Sequence, residues 1–291
     1  MQEISMKDAK LTLKSEAQPQ SVIELPYGIT VGGKDLWIVG GPCTVESLAQ
    51  METVAEHLTV APVQGIRGGA FKPRTSPYSF QGMGQAGLEV LDHMRRRYSV
   101  PVVTEVMAVD QIKAIAAHAD VLQVGSRNMQ NFDLLKALGT VQKPILLKRG
   151  LAATVEEFVM AAEYVMAHGN PNVILCERGI RSFDTYTRNV LDLGAVVALK
   201  HLTHLPVIVD PSHAAGKREL VPNLAKAAIA AGADGLIIEC HPVPEASVSD
   251  ARQALSLETM TGLIGELSAI AIAVGRQIPT AQPIAHKLAA A

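Results

Sequence analysis

Eight short apolar runs recur along the chain from Leu36 onward, six of them ending in glycine, proline or a polar residue. They read LWIVGG, GIRGGAF, VPVVTEV, VLQVGS, PILLKRG, NVILCERG, LPVIVDP and GLIIECH. Short, β-branched and nearly uninterrupted in hydrophobicity, they fit strands buried on both faces, as in a parallel sheet covered by helices. The intervening segments carry helical signals. In TVEEFVMAAEYVMAHG, Thr154 is placed to cap a helix, Glu157 to complete a capping box and Gly169 to stop it. RELVPNLAKAAIAAGA places Pro222 in a first helical turn, and DARQALSLETMTGLIGELSAIAIAV predicts a final helix. Eight strand–helix alternations predict an α/β fold, a closed (β/α)8 TIM barrel, rather than an open doubly wound sheet. No GxGxxG opens a helix and no Walker A loop occurs. Residues 1–35 read as an N-terminal extension, with a frayed start and a short strand pair around Gly28 to Asp35 that turns at Gly32 and Gly33; residues 36–291 read as the barrel.

Composition narrows the partners. Apolar residues make up 48% and charged residues 19% of the 291, enough apolar material for a large core. The net charge of −2 carries no basic footprint for nucleic acid, while local Arg and Lys clusters leave anionic small molecules open. Three widely spaced cysteines, Cys43, Cys176 and Cys240, do not make a disulfide framework. The polar start has no signal-peptide h-region, and no run approaches the roughly 18 apolar residues of a membrane span. The expectation is a soluble protein of the reducing cytoplasm with neither nucleic-acid nor membrane partners.

Barrels of this kind place their chemistry at the C-terminal ends of the strands. Cys43 follows the first run, His213 the seventh, and Glu239 lies in the eighth, with Asp250 eleven residues later. Closure makes the first, seventh and eighth strands neighbours, so thiolate, imidazole and carboxylates could converge on one divalent ion. Singly, each has a plain structural reading: a buried thiol, a hydrogen-bonded histidine, a helix cap. Spacing alone leaves both open, and the mixed donor set does not name the metal. Cys176 and Cys240 read as buried strand residues.

The stretch RGGAFKPRTSPYSFQG sets Arg67, Lys72 and Arg74 beyond the second run. Arg127, Lys148, Arg149, Arg178 and Arg181 stand at the ends of the fourth, fifth and sixth. Most such charges are solvated surface groups. Gathered at one barrel mouth they would repel one another unless anions were bound, and phosphates and carboxylates are what arginine forks capture. Glu105, ending the third run, would sit among them.

Together these residues resemble the 3-deoxy-D-arabino-heptulosonate 7-phosphate (DAHP) synthases of the type I fold, especially their short type I beta group. The resemblance runs from about Leu36 to Leu255 and rests on GPCTVES, RGGAFKPRTSPYSFQG, LQVGSRNMQN, LLKRG, ERGIRSFDTYTRN, DPSHAAGKRELV and IIECHPVPEASVSDARQAL. It implies a transferase that condenses phosphoenolpyruvate with erythrose 4-phosphate and water to give DAHP and phosphate, the first step of the shikimate pathway to aromatic amino acids. It implies one divalent ion (Mn, Fe, Co or Zn) held by Cys43, His213, Glu239 and Asp250. Phosphoenolpyruvate maps to Arg67, Lys72, Arg127, Lys148 and Arg178. The aldose maps to Arg74 and Thr75, with phosphate contacts from Ser126 or Arg181. Lys72, Lys148, Glu105 and His213 form the implied catalytic set, with Glu105 near the attacking water and Lys148 a proton carrier whose pKa neighbouring cations would lower.

The related octulosonate 8-phosphate synthases carry KANRSS-like sequence where this chain has Lys72-Pro73-Arg74-Thr75-Ser76-Pro77. The Pro-Arg-Thr form favours the four-carbon aldose over arabinose 5-phosphate. A non-catalytic barrel scaffold is the remaining alternative, although every candidate position keeps a competent residue type. The resemblance also implies a homotetramer or homodimer. The roughly 35 residues before the barrel are too few for a regulatory domain with its own core, so feedback through an attached domain is not expected, and control in trans by another protein is left open.

Overall fold

The computed structural model describes residues 6–72, 76 and 78–279. Eight parallel strands form its centre: β3 (Trp37–Gly41), β4 (Gly65–Arg67), β5 (Val102–Val106), β6 (Val121–Val124), β7 (Ile145–Lys148), β8 (Val173–Glu177), β9 (Val207–Val209) and β10 (Gly235–His241). Each pairs with the next in chain order, and β10 pairs with both β9 and β3, closing the ring. All eight apolar runs therefore form the strands expected of them, and the TIM barrel is the observed fold. A short β11 (Leu255–Ser256) extends beside the end of β10.

The helices outside the ring are α1 (Leu48–Leu58), α2 (Gln85–Tyr98), α3 (Ile112–His118), α4 (Phe132–Gly139), α5 (Val155–Ala167), α6 (Leu193–Leu202), α7 (Pro211–Ala215), α8 (Val221–Ala230) and α9 (Leu257–Ala273). Helix α5 starts as its sequence dictates. Thr154 accepts from the Glu157 amide and Glu157 accepts from the Thr154 amide. Gly169, at φ +110°, carries the chain out beyond the C-terminus in a backbone region that side chains disfavour. The helix buries Phe158, Val159, Ala161, Ala162 and Val165; each large side chain among them stabilises by about 1.5–3 kcal/mol. Helix α8 accommodates Pro222 in its first turn. The final helix is shorter than the apolar pattern suggests: the DARQ stretch is a turn, and Ser256 caps α9 by accepting from the Thr259 amide.

The cores follow the barrel's two surfaces. One lies between strands and helices and includes Ile38, Leu58, Leu122, Leu147, Leu175 and Cys240. The other fills the ring with Trp37, Val39, Val103, Val121, Leu146, Ile174, Cys176, Ile208 and Ile237. Cys176 and Cys240 are thus buried strand residues on opposite faces. Burial pushes the Cys240 thiol up to about 12 and raises that of Cys176 further.

The N-terminal segment departs from expectation in two ways. The strand pair is β1 (Ile23–Leu25) with β2 (Ile29–Val31), joined through Pro26–Gly28, and not a turn at Gly32 and Gly33. Tyr27 and Gly28 supply the consecutive positive φ values this tight connection needs. Ile23, Leu25 and Val31 join the cluster inside the ring, so the hairpin plugs the barrel floor. The described residues before the hairpin are docked rather than frayed. The amides of Lys10, Leu11 and Thr12 donate to the buried Glu163 carboxylate, and Lys14 donates its amide to the Leu202 carbonyl.

Candidate active site

The alternation that fills the ring also furnishes its upper end. Two residues beyond an inward apolar side chain stands a polar one: Glu105 after Val103, Gln123 after Val121, Lys148 after Leu146, Arg178 after Cys176, Asp210 after Ile208 and Glu239 after Ile237. A strand points residues i and i+2 to the same side, so these groups enter one cup. Two glycines make room at its wall. A Cβ on Gly125 would stand 2.1 Å from Glu105 Oε1, and one on Gly41 would stand 2.3 Å from the Arg67 carbonyl oxygen.

One corner of the cup is rich in metal donors. Ligand atoms of Cys43, Glu239 and Asp250 lie within 4.8 Å of one another. Cys43 Sγ donates to Asp250 Oδ2 at 3.2 Å, contacts Ser249 Oγ at 3.1 Å and accepts from Lys72 Nζ at 3.0 Å. Burial, with Glu239 adding to it, pushes the Cys43 thiol up to about 11. A cation is what would displace that proton near neutral pH. Glu239 Oε1 is buried and makes no hydrogen bond, although Arg67 Nη2 lies 3.1 Å away. His213 stands at the edge of this group, its Nε2 3.4 Å from Glu239 Oε1. The donors fit a divalent ion: sulfur, nitrogen and two carboxylates, with an orphaned carboxylate oxygen facing the gap.

Asp210, to which the sequence reading assigned no role, organises the opposite side of that corner. It caps α7 by accepting from the His213 amide at 2.9 Å, and its Oδ2 accepts from His213 Nδ1 at 2.7 Å. With Nδ1 engaged, Nε2 carries the free lone pair. The same Oδ2 also accepts from Lys148 Nζ. Burial alone would raise the Asp210 carboxyl, but His213, Lys148 and Arg67 outweigh it and hold it well below the usual carboxylate range. Burial lowers the His213 imidazole, against the opposing pull of the Asp210 and Glu239 carboxylates.

The rest of the cup is cationic. A cavity of about 380 Å³ is lined by Arg67, Lys72, Arg127, Lys148, Arg178, Arg181 and Arg188, with Glu105 and Asp250 as its carboxylates. Ser126, Gln123, Asn189 and His213 complete the polar wall. Arg67, Lys72, Lys148 and Arg178 are buried. Arg67 Nε and Nη1 are buried donors without a hydrogen-bond partner, which is the state of a guanidinium built to receive an anion. Glu105 accepts from Gln123 Nε2 at 3.3 Å.

Of the site residues expected from sequence, Cys43, Glu239 and Asp250 share one corner with His213 beside them, while Arg67, Lys72, Glu105, Ser126, Arg127, Lys148, Arg178 and Arg181 reach the cavity. Arg74 and Thr75 lie outside the described residues. Arg149 does not join the cup. As the next residue after inward Lys148 it faces away, donating to Glu177 and Asp192 at 2.9 Å each, and serves the packing around α6. Continuing the inward alternation from Val121 to Gln123 and from Ile208 to Asp210 would have found two of the missed residues. Arg188, Asn189 and Gln253 come from loops, where no period marks them.

The family model of the DAHP synthetase I family matches residues 11–271. A phospho-2-dehydro-3-deoxyheptonate aldolase of Thermotoga maritima is 45% identical over 273 residues, 94% of this chain and 80% of the relative. The crystal structure of the Thermotoga maritima DAHP synthase superposes with a TM-score of 0.90 at 44% identity, covering 94% of this chain and 79% of that one. A 2-dehydro-3-deoxyphosphooctonate aldolase of Dechloromonas aromatica is 34% identical over 259 residues, 82% of this chain and 92% of the relative. Matched over most of its length by that model and by these relatives, the chain belongs to the DAHP synthetase I family.

Proposed function

We propose that this protein is a metal-dependent DAHP synthase, condensing phosphoenolpyruvate with erythrose 4-phosphate and water to give DAHP and inorganic phosphate. The observation that carries this reading is the single cup in which a Cys43–Glu239–Asp250 corner faces seven cationic side chains. Two phosphates and a carboxylate bring roughly four to five negative charges, since a phosphate monoester carries about −1.5 to −2. Cations alone would suit many anions; the sulfur-bearing corner beside them would hold an ion able to polarise a carbonyl oxygen. Identity to the heptonate aldolase exceeds that to the octonate aldolase, and the Pro73-Arg74-Thr75 sequence points the same way.

Cys43, Glu239, Asp250 and His213 would hold the ion, with Asp210 fixing the His213 ring. When bound, a divalent ion supplies Lewis-acid polarisation of the aldehyde oxygen. Arg67, Lys72, Arg127, Lys148 and Arg178 hold phosphoenolpyruvate, which lowers the entropic cost of presenting its C3 to the aldehyde carbon. These fixed positive charges also stabilise the charge that develops on the departing phosphate, without the reorganisation that water would need. Glu105 takes a proton from the water that adds at C2. Lys148 Nζ donates to Asp210 Oδ2, and this ion pair fixes the ammonium group at the wall of the cup. Arg74 and Thr75 bind the aldose phosphate, with Ser126 or Arg181 assisting. The protein works in the cytoplasm as a homotetramer or homodimer.

Product identification decides the reading. Metal-loaded protein mixed with phosphoenolpyruvate and erythrose 4-phosphate is expected to release phosphate and DAHP, with little turnover of arabinose 5-phosphate. Preference for the pentose would move the protein to octulosonate 8-phosphate synthesis; metal binding without turnover of either would leave a scaffold.

A further inference from the structure

Both carboxylates of the metal corner have one oxygen tied down by a neighbour and one directed into the gap. Glu239 Oε2 accepts from Gln253 Nε2 at 2.6 Å, while Oε1 is buried without a hydrogen bond. Asp250 Oδ1 accepts from Arg188 Nη1 at 3.1 Å, while Oδ2 faces Cys43 Sγ. The two restraints are joined, because Arg188 Nη1 also donates to Gln253 Oε1 at 3.0 Å. A continuous chain therefore runs from Glu239 through Gln253 and Arg188 to Asp250.

The backbone sets this chain up. Gln253 donates its amide to the Asp250 carbonyl at 3.0 Å, closing a turn in which Asp250 adopts φ +54°. Left-handed backbone at a residue other than glycine is strained and persists where surroundings impose it. Leu255 and Ser256 then pair with Cys240 and His241, bringing Gln253 back beside Glu239. Gln253 is almost fully buried, at 2% exposure, and both of its side-chain polar atoms are used in this chain.

We propose that Gln253 and Arg188 are positioning residues that orient both carboxylate ligands, so that Glu239 meets a divalent cation through Oε1 alone and Asp250 through Oδ2 alone. This rests on the metal site of the preceding section and adds how its donor atoms are chosen. Tying down the second oxygen of each carboxylate keeps it from chelating with both. That favours ions content with four or five ligands over large ions that collect six to eight oxygens. Neither residue touches the ion; each acts through the ligand it holds.

Cobalt(II) is the probe, because a cobalt–thiolate absorption band reports Cys43 and the ligand-field bands report coordination number. Metal-free wild-type protein titrated with cobalt(II) is expected to develop both. Gln253→Ala should weaken cobalt binding by about 10- to 100-fold and shift the ligand-field bands toward higher coordination. Arg188→Ala should weaken it less, Arg188→Lys should recover most of that loss, and the double variant should lose less than the product of the single losses. Arg188 has a side chain 41% exposed, so its variants test the proposal even where Gln253→Ala fails to fold. Cobalt affinity within twofold of wild type and unchanged bands in folded variants of both residues would overturn it, as would strictly independent losses. A wild-type protein with no cobalt–thiolate band would overturn the metal reading and the clamp with it.

Discussion

Single residues in the cup are decided by which neighbour holds them. Cys43 and Cys176 are both buried thiols at barrel strands, yet only Cys43 meets other metal donors. Cys43→Ala is expected to abolish metal binding and activity together. Cys176→Ala should leave both near wild type and cost about 1 kcal/mol from the lost packing, read from urea unfolding. Asp210 makes a pH prediction. Its carboxyl titrates lower in the folded chain than in the unfolded one, so unfolding takes up a proton in acid. The stability it contributes is complete above the ordinary carboxylate range and drains away as pH falls through and below it. Asp210→Asn should therefore be less stable at pH 7 and lose less further stability between pH 5 and 3, as urea midpoints across that range would register. His213 and Lys148 would lose their common acceptor in the same variant, so turnover should fall by at least tenfold.

At the level of elements, capping and turn chemistry do much of the placing. Helix α5 begins at Thr154 because a capping box satisfies both ends of its first turn. The position of His213 depends on a helix of only five residues, which Asp210 caps. Local capping signals were legible in the sequence; the hairpin was not located correctly, because Tyr27 takes a left-handed conformation that residue type does not announce. Three successive amides of the N-terminal tail share one distant acceptor. Glu163→Ala would strand the amides of Lys10, Leu11 and Thr12, of which Thr12 is fully buried. It should cost about 1–3 kcal/mol in the urea midpoint while leaving the kinetic constants near wild type, because the tail contacts lie outside the residues that line the cup.

For the whole molecule, ring closure converts residues far apart in sequence into one electrostatic site. Seven cations around one cavity, offset in part by Asp210, Glu239 and Asp250, leave a positive field that favours bound anions. Phosphoenolpyruvate is therefore expected to raise the thermal midpoint more than pyruvate does at equal concentration, with the difference shrinking in high salt. Equal shifts for the two ligands would argue against a phosphate subsite. By itself the sequence determined the eight strands, the order of the helices and most of the cup's residue types, because a buried parallel strand must be apolar until it reaches the solvent end, where polar side chains become tolerable. Alternation carried to the strand ends already turns Arg149 away from the cup and Asp210 into it; the loops were left to the tertiary structure. It alone brought Gln253 and Arg188 from separate loops onto the two carboxylates. Side-chain direction along a strand has a period that can be read, whereas a loop residue's partner is settled only when the ring closes and distant segments compete for the same hydrogen bonds.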